Sequence, residues 1–199
     1  MGATEQQAPT RERIVSAAAE LFRRQGYAAT GMKQIAAEAD APFGSIYHFF
    51  PGGKEELGAE VLRTGGEFFL ALYHAITADQ PDARASLRTF FEAAGQTVAV
   101  TGYQDACPIA TIAGEVASTI EPLRIASADA FGSWLDALTT DLEEAGVGKR
   151  EAPALAQAIL SLLEGAFLLC RTSRSTDPMA AAGHAADVLL ASALKHGPT

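Results

Sequence analysis

The sequence predicts an all-α fold in two parts, a three-helix helix-turn-helix unit over residues 1–54 and a larger helical unit over residues 55–199. Three observations carry this expectation. Apolar residues recur with the 3.6-residue period of a helix along nearly the whole chain, and nowhere in the sustained alternation of a half-buried strand. Prolines and glycines fall mainly at the ends of the periodic segments, where they start and stop helices. Hydrophobic residues make up 48% and charged residues 20% of 199 residues, enough apolar material for a substantial core.

Taken in order, Thr10 is placed to cap a first helix whose apolar stripe is Ile14, Ala17, Ala18, Leu21 and Phe22. That is the i, i+3, i+4, i+7, i+8 pattern of one buried face. Gly26 supplies its left-handed stop. Thr30 or Gly31 caps a second helix carrying Met32, Ile35, Ala36 and Ala39. Residues 40–43 make a turn, with Asp40 where a left-handed backbone is needed and Pro42 at the start of the third helix. That helix runs through Ile46, Tyr47 and Phe50 until Pro51-Gly52-Gly53 breaks it. From Lys54 a longer helix carries Leu57, Val61, Phe68, Leu72 and Ile76. Within it Gly65-Gly66, each costing about 1 kcal/mol relative to alanine, reads as a pivot or as a point of close packing. Beyond lie a helix over about 82–100, a short one after Cys107-Pro108, and one from Pro122 to Gly146. A last pair starts near Pro153 and Pro178.

The segment over residues 30–54 is the informative one. Between Ala41 and Gly53 it has no carboxylate, in a chain of formal net charge -9. In a helix-turn-helix the first helix needs a small residue where the two cross, and Ala36 meets that need. Ile46 and Phe50 then plug the third helix into the core. Its other face, with Gly44, Ser45, Tyr47 and His48, is free for a major groove and its flanking phosphates. Thr30, Gly31, Lys33, Pro42, Phe43 and Lys54 complete the expected contact set, with Lys54 the strongest phosphate ligand. Residues 1–60 carry a net charge of -2 and residues 61–199 one of -7. Binding therefore rests on local geometry and on doubling of contacts in a dimer, not on a long-range positive field.

Other function classes find little purchase. Gly52-Gly53-Lys54 suggests a phosphate loop, but that motif needs glycine at 48, which is His48, and Ser or Thr at 55, which is Glu55. No GxSxG or HExxH occurs, so no enzyme and no cofactor are expected. The histidines at 48, 74, 184 and 196 lack metal-ligand spacing, and Cys107 and Cys170 form no CxxC pair. No apolar run approaches the ~20 residues needed to span a bilayer, so no membrane partner is expected. The opening MGATEQQAPT shows no basic and then apolar leader. The chain reads as cytoplasmic.

The N-terminal part resembles the TetR family of bacterial transcriptional repressors. The resemblance runs over Leu21-Phe22-Arg23-Arg24-Gln25-Gly26-Tyr27, Ala29-Thr30, Ile35-Ala36, Gly44-Ser45-Ile46-Tyr47 and Lys54-Glu55-Glu56-Leu57. Cys107-Pro108-Ile109-Ala110, with Trp134 and Leu163-Glu164-Gly165-Ala166, is similar to the LmrA-type subgroup. Asp40 stands where the family usually has Gly, Phe43 where this subgroup commonly has a basic residue, and His48-Phe49 shifts the family's His by one position. The resemblance implies a C-terminal domain for ligand binding and dimerisation. Its expected pocket is lined by Phe68, Leu72, Phe90, Cys107, Ile112, Phe131, Trp134 and Phe167, and suits a small hydrophobic effector. The last two helices have broad apolar faces, and Leu155, Ile159, Leu162, Leu163, Ala186, Leu189, Leu190 and Ala193 are the expected homodimer interface. The implied function is a repressor released from palindromic double-stranded operator DNA. A rival role is redox or electrophile sensing through Cys107, since a cysteine at a helix start can have a lowered pKa. A third is a helical ligand-binding protein with weak DNA contact.

Overall fold

The computed structural model describes residues 8–104 and 107–195, and every regular element among them is a helix. In order these are α1 (Thr10–Gln25), α2 (Met32–Glu38), α3 (Phe43–Phe49), α4 (Gly53–Thr77), α5 (Ala83–Val100), α6 (Pro108–Val116), α7 (Glu121–Glu144), α8 (Ala152–Ser173) and α9 (Asp177–Lys195). Residues 1–7, which hold most of the expected leader-free terminus, and His196 lie outside the described residues.

Helix ends differ from expectation by single residues, for local reasons. The cap of α1 is Pro9, and Thr10 is the first helical residue without a side-chain cap bond. Gly26 does end the helix, at φ +86°. Gly31, not Thr30, caps α2. The Thr30 hydroxyl turns inward instead, donating to the Gly26 carbonyl at 2.7 Å.

The turn between α2 and α3 is built as a left-handed helix stop. Asp40 has φ +46°. The Ala41 N–H donates to the Ala36 carbonyl at 3.0 Å and the Asp40 N–H to that of Ala37 at 3.2 Å. These two bonds satisfy the last carbonyls of α2, the arrangement that most often uses glycine. Arg13 reaches across from α1 and covers the turn's remaining carbonyls, donating to Ala39 O at 3.0 Å and Asp40 O at 2.9 Å. A third bond, 3.0 Å to Ala8 O, holds the chain before α1.

Two hydrophobic cores organise the molecule. The first takes Ile14, Ala18 and Phe22 from α1, Ile35 and Ile46 from the helix pair, Phe50, and Leu57 and Leu62 from α4. It also takes Ile109 and Ile112 from α6 and Leu123 from α7. The second joins α5, α8 and α9 with the end of α7, through Phe91, Leu142, Ile159, Leu163, Met179 and Leu190. The division between residues 54 and 55 cuts the first turn of α4, and the first core continues across it. Three short helices cannot bury their own apolar stripe, so α4, α6 and α7 complete it.

Gly66 marks close packing within α4. A Cβ there would lie 2.9 Å from that of Ala130 on α7. The Trp134 indole N–H donates to the Gly66 carbonyl at 2.9 Å. Of the two readings of Gly65-Gly66, the contacts at Gly66 match packing, and α4 runs unbroken through the pair.

Two expectations are corrected in α8 and α9. Leu155, Ile159, Leu163, Ala186, Leu190 and Ala193 are buried inside the single chain, in the second core. They face the neighbouring helix, so of the expected interface set only Leu189 is exposed, with Leu162 half-buried. In addition, α8 is long and apolar enough to cross a membrane by length and composition. The second core accounts for part of that apolarity, since α8 packs between α7 and α9, while Leu168 and Leu169 on its outer face stay exposed.

Replacing Arg13 with Ala removes all three carbonyl bonds, so urea unfolding is expected to show a loss of about 1–3 kcal/mol. Arg13→Lys should recover only part of it, because an ammonium lacks the planar fork. Stability within 0.5 kcal/mol of wild type for Arg13→Ala would mean that the turn holds without this clamp.

Candidate functional site

The outer face of α3 is uncharged and open. Pro42, Phe43, Gly44, Tyr47 and His48 are exposed, Ser45 is half-buried, and Lys33 and Gly31 project nearby from α2 and its cap. The Phe43 and Tyr47 rings meet edge to face, with centroids 5.5 Å apart. A Cβ on Gly44 or Gly31 would meet nothing within 4 Å, so neither glycine is required by the chain's own packing. Ile46 and Phe50 are buried beneath, as the helical period predicts.

Thr30 and Lys54 sit differently from expectation. Thr30 is 1% exposed, and besides its bond to Gly26 it accepts one from Gln25 at 3.1 Å. It braces the α1–α2 turn and presents no hydroxyl outward. Lys54 does not extend freely either. Its Nζ lies 4.3 Å from the Tyr27 ring centroid and 3.4 Å from the Ala28 carbonyl oxygen. Burial lowers its pKa, and the nearby Glu115 carboxylate partly opposes that. The same burial pushes the Tyr27 hydroxyl up to about 12.

Glu115, on α6, ties this face to the rest of the molecule. Its carboxylate accepts hydrogen bonds from the backbone N–H groups of Tyr27 at 3.1 Å and Ala28 at 2.9 Å. Gly26 leaves room for it, since a Cβ there would fall 2.2 Å from a Glu115 oxygen. A second tie joins Arg11 of α1 to Glu60 of α4 at 2.7 Å. Hydrogen bonds from Arg63 and Arg11 hold the Glu60 carboxyl down at about 2, against the effect of its partial burial. No sequence pattern singles out Glu115 or Arg13, because each acts on backbone groups far away in the chain.

The larger unit contains a cavity of about 760 Å³ walled by α4, α5, α7, α8 and the start of α6. Phe68, Leu72, Phe90, Cys107, Trp134 and Phe167 line it, six of the eight expected residues. Ile112 and Phe131 do not. Ile112 is fully buried in the first core, and Phe131 packs against that core with its ring 5.5 Å from Trp134. Phe69 and Tyr73 add aromatic walls. The Tyr73 hydroxyl donates to Asp141 on α7 at 2.6 Å, and burial with this neighbour raises its pKa.

Two ionisable groups meet at the cavity wall. Both carboxylate oxygens of Glu164 are buried and, among the described residues, have no hydrogen-bond partner at ordinary distance. Burial pushes this carboxyl up to about 7, with the neighbouring Cys107 thiol, a weak donor, opposing that. Cys107 caps α6, and its sulfur accepts from the Ala110 N–H at 3.4 Å. Desolvation and the negative neighbour Glu164 raise the thiol's pKa well above the ordinary value. They outweigh the backbone bonds from Ala110 and Ile109 at the helix start, which act to lower it as expected. Glu164 had a sequence signal, a lone carboxylate in the apolar run from Ala158 to Cys170.

Comparison with known proteins agrees with this geometry. Residues 14–61 match the family described as bacterial regulatory proteins, tetR family. Residues 83–185 match the C-terminal domain of transcriptional regulators like LmrA and YxaF. The chain is 35% identical to the uncharacterized HTH-type transcriptional regulator YxaF of Bacillus subtilis, over 85% of this chain and 89% of that one. It is 31% identical to the HTH-type transcriptional regulator LmrA of the same organism, over 85% and 90%. A solved TetR transcriptional regulator from Legionella pneumophila superposes with a TM-score of 0.82 at 26% identity, covering 92% of this chain and 98% of that one. With an open helix-turn-helix face, a closed helical unit behind it and these matches over both halves, the chain belongs to the TetR family of bacterial DNA-binding transcriptional regulators, and it is not an enzyme.

Proposed function

We propose that this regulator is a cytoplasmic repressor that holds a palindromic double-stranded operator as a homodimer and is released by a small hydrophobic effector entering the α4–α8 cavity. One observation supports this above others: two of the helices that wall the cavity, α4 and α6, also hold the DNA-reading unit. Helix α4 lines the cavity with Phe68, Phe69, Leu72 and Tyr73, and its first turns lie in the core beneath α3. Helix α6 starts at the cavity with Cys107 and Pro108 and reaches the α1–α2 turn through Glu115. A ligand that displaces either helix changes where α3 sits, which is how differential binding shifts a two-state regulator.

Contacts to DNA on this reading come from Lys33, Phe43, Gly44, Ser45, Tyr47 and His48, with Gly31 and Pro42 allowing close approach. Phe43 suits a thymine methyl and Tyr47 a phosphate or base edge. The dimer uses Leu168 and Leu169 of α8 with Val188 and Leu189 of α9. These four large aliphatic side chains are 41–61% exposed on two helices that pack together. A second copy covering them forms a four-helix interface, the isologous arrangement of a two-fold dimer. An oxidant- or electrophile-sensing role for Cys107 is less favoured, because its thiol is 2% exposed and its pKa is raised.

In gel shifts with DNA flanking its own gene, Tyr47→Ala is expected to weaken binding about tenfold, about 1.4 kcal/mol, with the melting temperature unchanged. Binding within twofold of wild type would remove Tyr47 from the contact set. The double variant Leu168→Glu with Leu189→Glu is expected to run as a monomer by light scattering at micromolar concentration, where the wild type runs as a dimer. A monomeric wild type, or an unaltered dimer in the variant, would place the interface elsewhere or rule it out.

A further inference from the structure

The cavity holds a polar feature that a purely apolar effector would leave unmet. Among the described residues, Glu164 has two buried oxygens with no hydrogen-bond partner at ordinary distance and only the weak thiol donor of Cys107 beside it, on a wall otherwise dominated by aromatic and aliphatic side chains. An unpaired buried carboxylate is strongly disfavoured. A neutral donor would satisfy one oxygen and leave the charge uncompensated. A positive charge would compensate the carboxylate as a whole by Coulomb attraction, with or without a donor hydrogen. The aromatic side chains of Phe68, Phe69, Tyr73, Phe90, Trp134 and Phe167 line the same cavity, and a ring face turned to it attracts cations. The chain's net charge of -9 adds a favourable long-range field for a cation.

Accepting the cavity as the effector site proposed above, we infer that the effector is a lipophilic organic cation, its aromatic body held among these rings and its charge set against the Glu164 carboxylate. Among the described residues, the other ionisable groups facing the site do not supply that charge. Arg23 of α1 reaches the cavity wall but is ion-paired with Glu20. Tyr73 of α4 is bonded to Asp141 of α7. Cys107, at the start of α6, is held neutral by its raised pKa. The wall residues contributed by α5 include Gln96 and Thr97 and no ionisable group, and α8 contributes Glu164 alone. With the Glu164 carboxyl near 7, cation binding must displace a proton below that pH and so weakens as pH falls.

The test uses two fluorescent probes of nearly the same shape, the permanent cation 10-methylacridinium and neutral 10-methylacridone, titrated into the intact protein without DNA. Expected is at least tenfold tighter binding of the cation at pH 8, about tenfold weakening of that binding between pH 8 and pH 6, and no such change for the neutral probe. Glu164→Gln should abolish both the preference and the pH dependence while retaining the neutral probe. The wild-type pH profile needs no variant, so it stands even if the substitution harms folding. Acridone binding as tightly as acridinium, with no pH dependence, would overturn the cation inference and leave the cavity as an effector site. Binding of neither probe would overturn both readings.

Heat stability supplies an independent readout. The carboxyl's folded pKa lies above its ordinary 4.5, so its ionisation destabilises the fold progressively as pH rises from about 4.5 to about 7. Glu164→Gln should therefore melt above wild type at pH 8, with the gap shrinking towards pH 5. A variant that melts below wild type at pH 8 would show that the charge already has a partner, and the inference would fail.

Discussion

The rest of the structure depends on one shared hydrophobic core. Helices α1 to α3 bury Ile14, Phe22, Ile35 and Ile46 against residues far along the chain, including Ile109, Ile112 and Leu123. Each apolar side chain buried this way contributes roughly 1.5–3 kcal/mol. The packing is tight as well as extensive, since a Cβ on Gly58 would come within 3.0 Å of both Tyr27 and Leu123. Densely packed interiors transmit displacement instead of absorbing it. The DNA-reading unit is therefore placed by α4, α6 and α7, and the polar ties of Glu115 and Glu60 fix its orientation on that base.

Such coupling gives the cavity its leverage. The cavity lies beside the second core, with Leu87, Ile159 and Leu163 shared between its wall and that core. Trp134 reaches both regions: it lines the cavity, packs against the first core and donates to the Gly66 carbonyl of α4. A ligand that shifts Trp134 or the start of α6 acts on elements the reader leans on directly. On the reading proposed above, Glu164 adds chemical discrimination at that place, because a buried carboxyl without a compensating charge favours an occupant that supplies one.

Much of the fold was legible in the sequence because helical period and Pro/Gly punctuation are local signals. The stripe of α1, the left-handed backbone at Asp40 and the burial of Ile46 and Phe50 all follow from residue type and spacing. What was hidden depends on partners distant in the chain. Periodicity marks Leu155, Ile159 and Leu190 as buried, but does not say whether the same chain or a second copy buries them. It likewise does not separate a cavity wall such as Phe90 from a core residue such as Ile112. Thr30 has a hydroxyl suited to either phosphate or backbone, and the Gly26 carbonyl captures it. For Cys107, position at a helix start and burial beside a carboxyl oppose each other, and burial dominates.

The most direct measurement of the shared core is native-state hydrogen exchange on an Ile112→Ala variant. Ile112 lies on α6, far in sequence from α1 to α3, and is fully buried. Truncating it should cost about 2–5 kcal/mol. If the reader and α6 form one cooperative unit, amides in α1, α2 and α3 should lose protection together with those in α6 and by a similar amount. If α1 to α3 keep their wild-type protection while α6 alone opens more readily, the reader folds as an independent unit and the coupling described above is wrong.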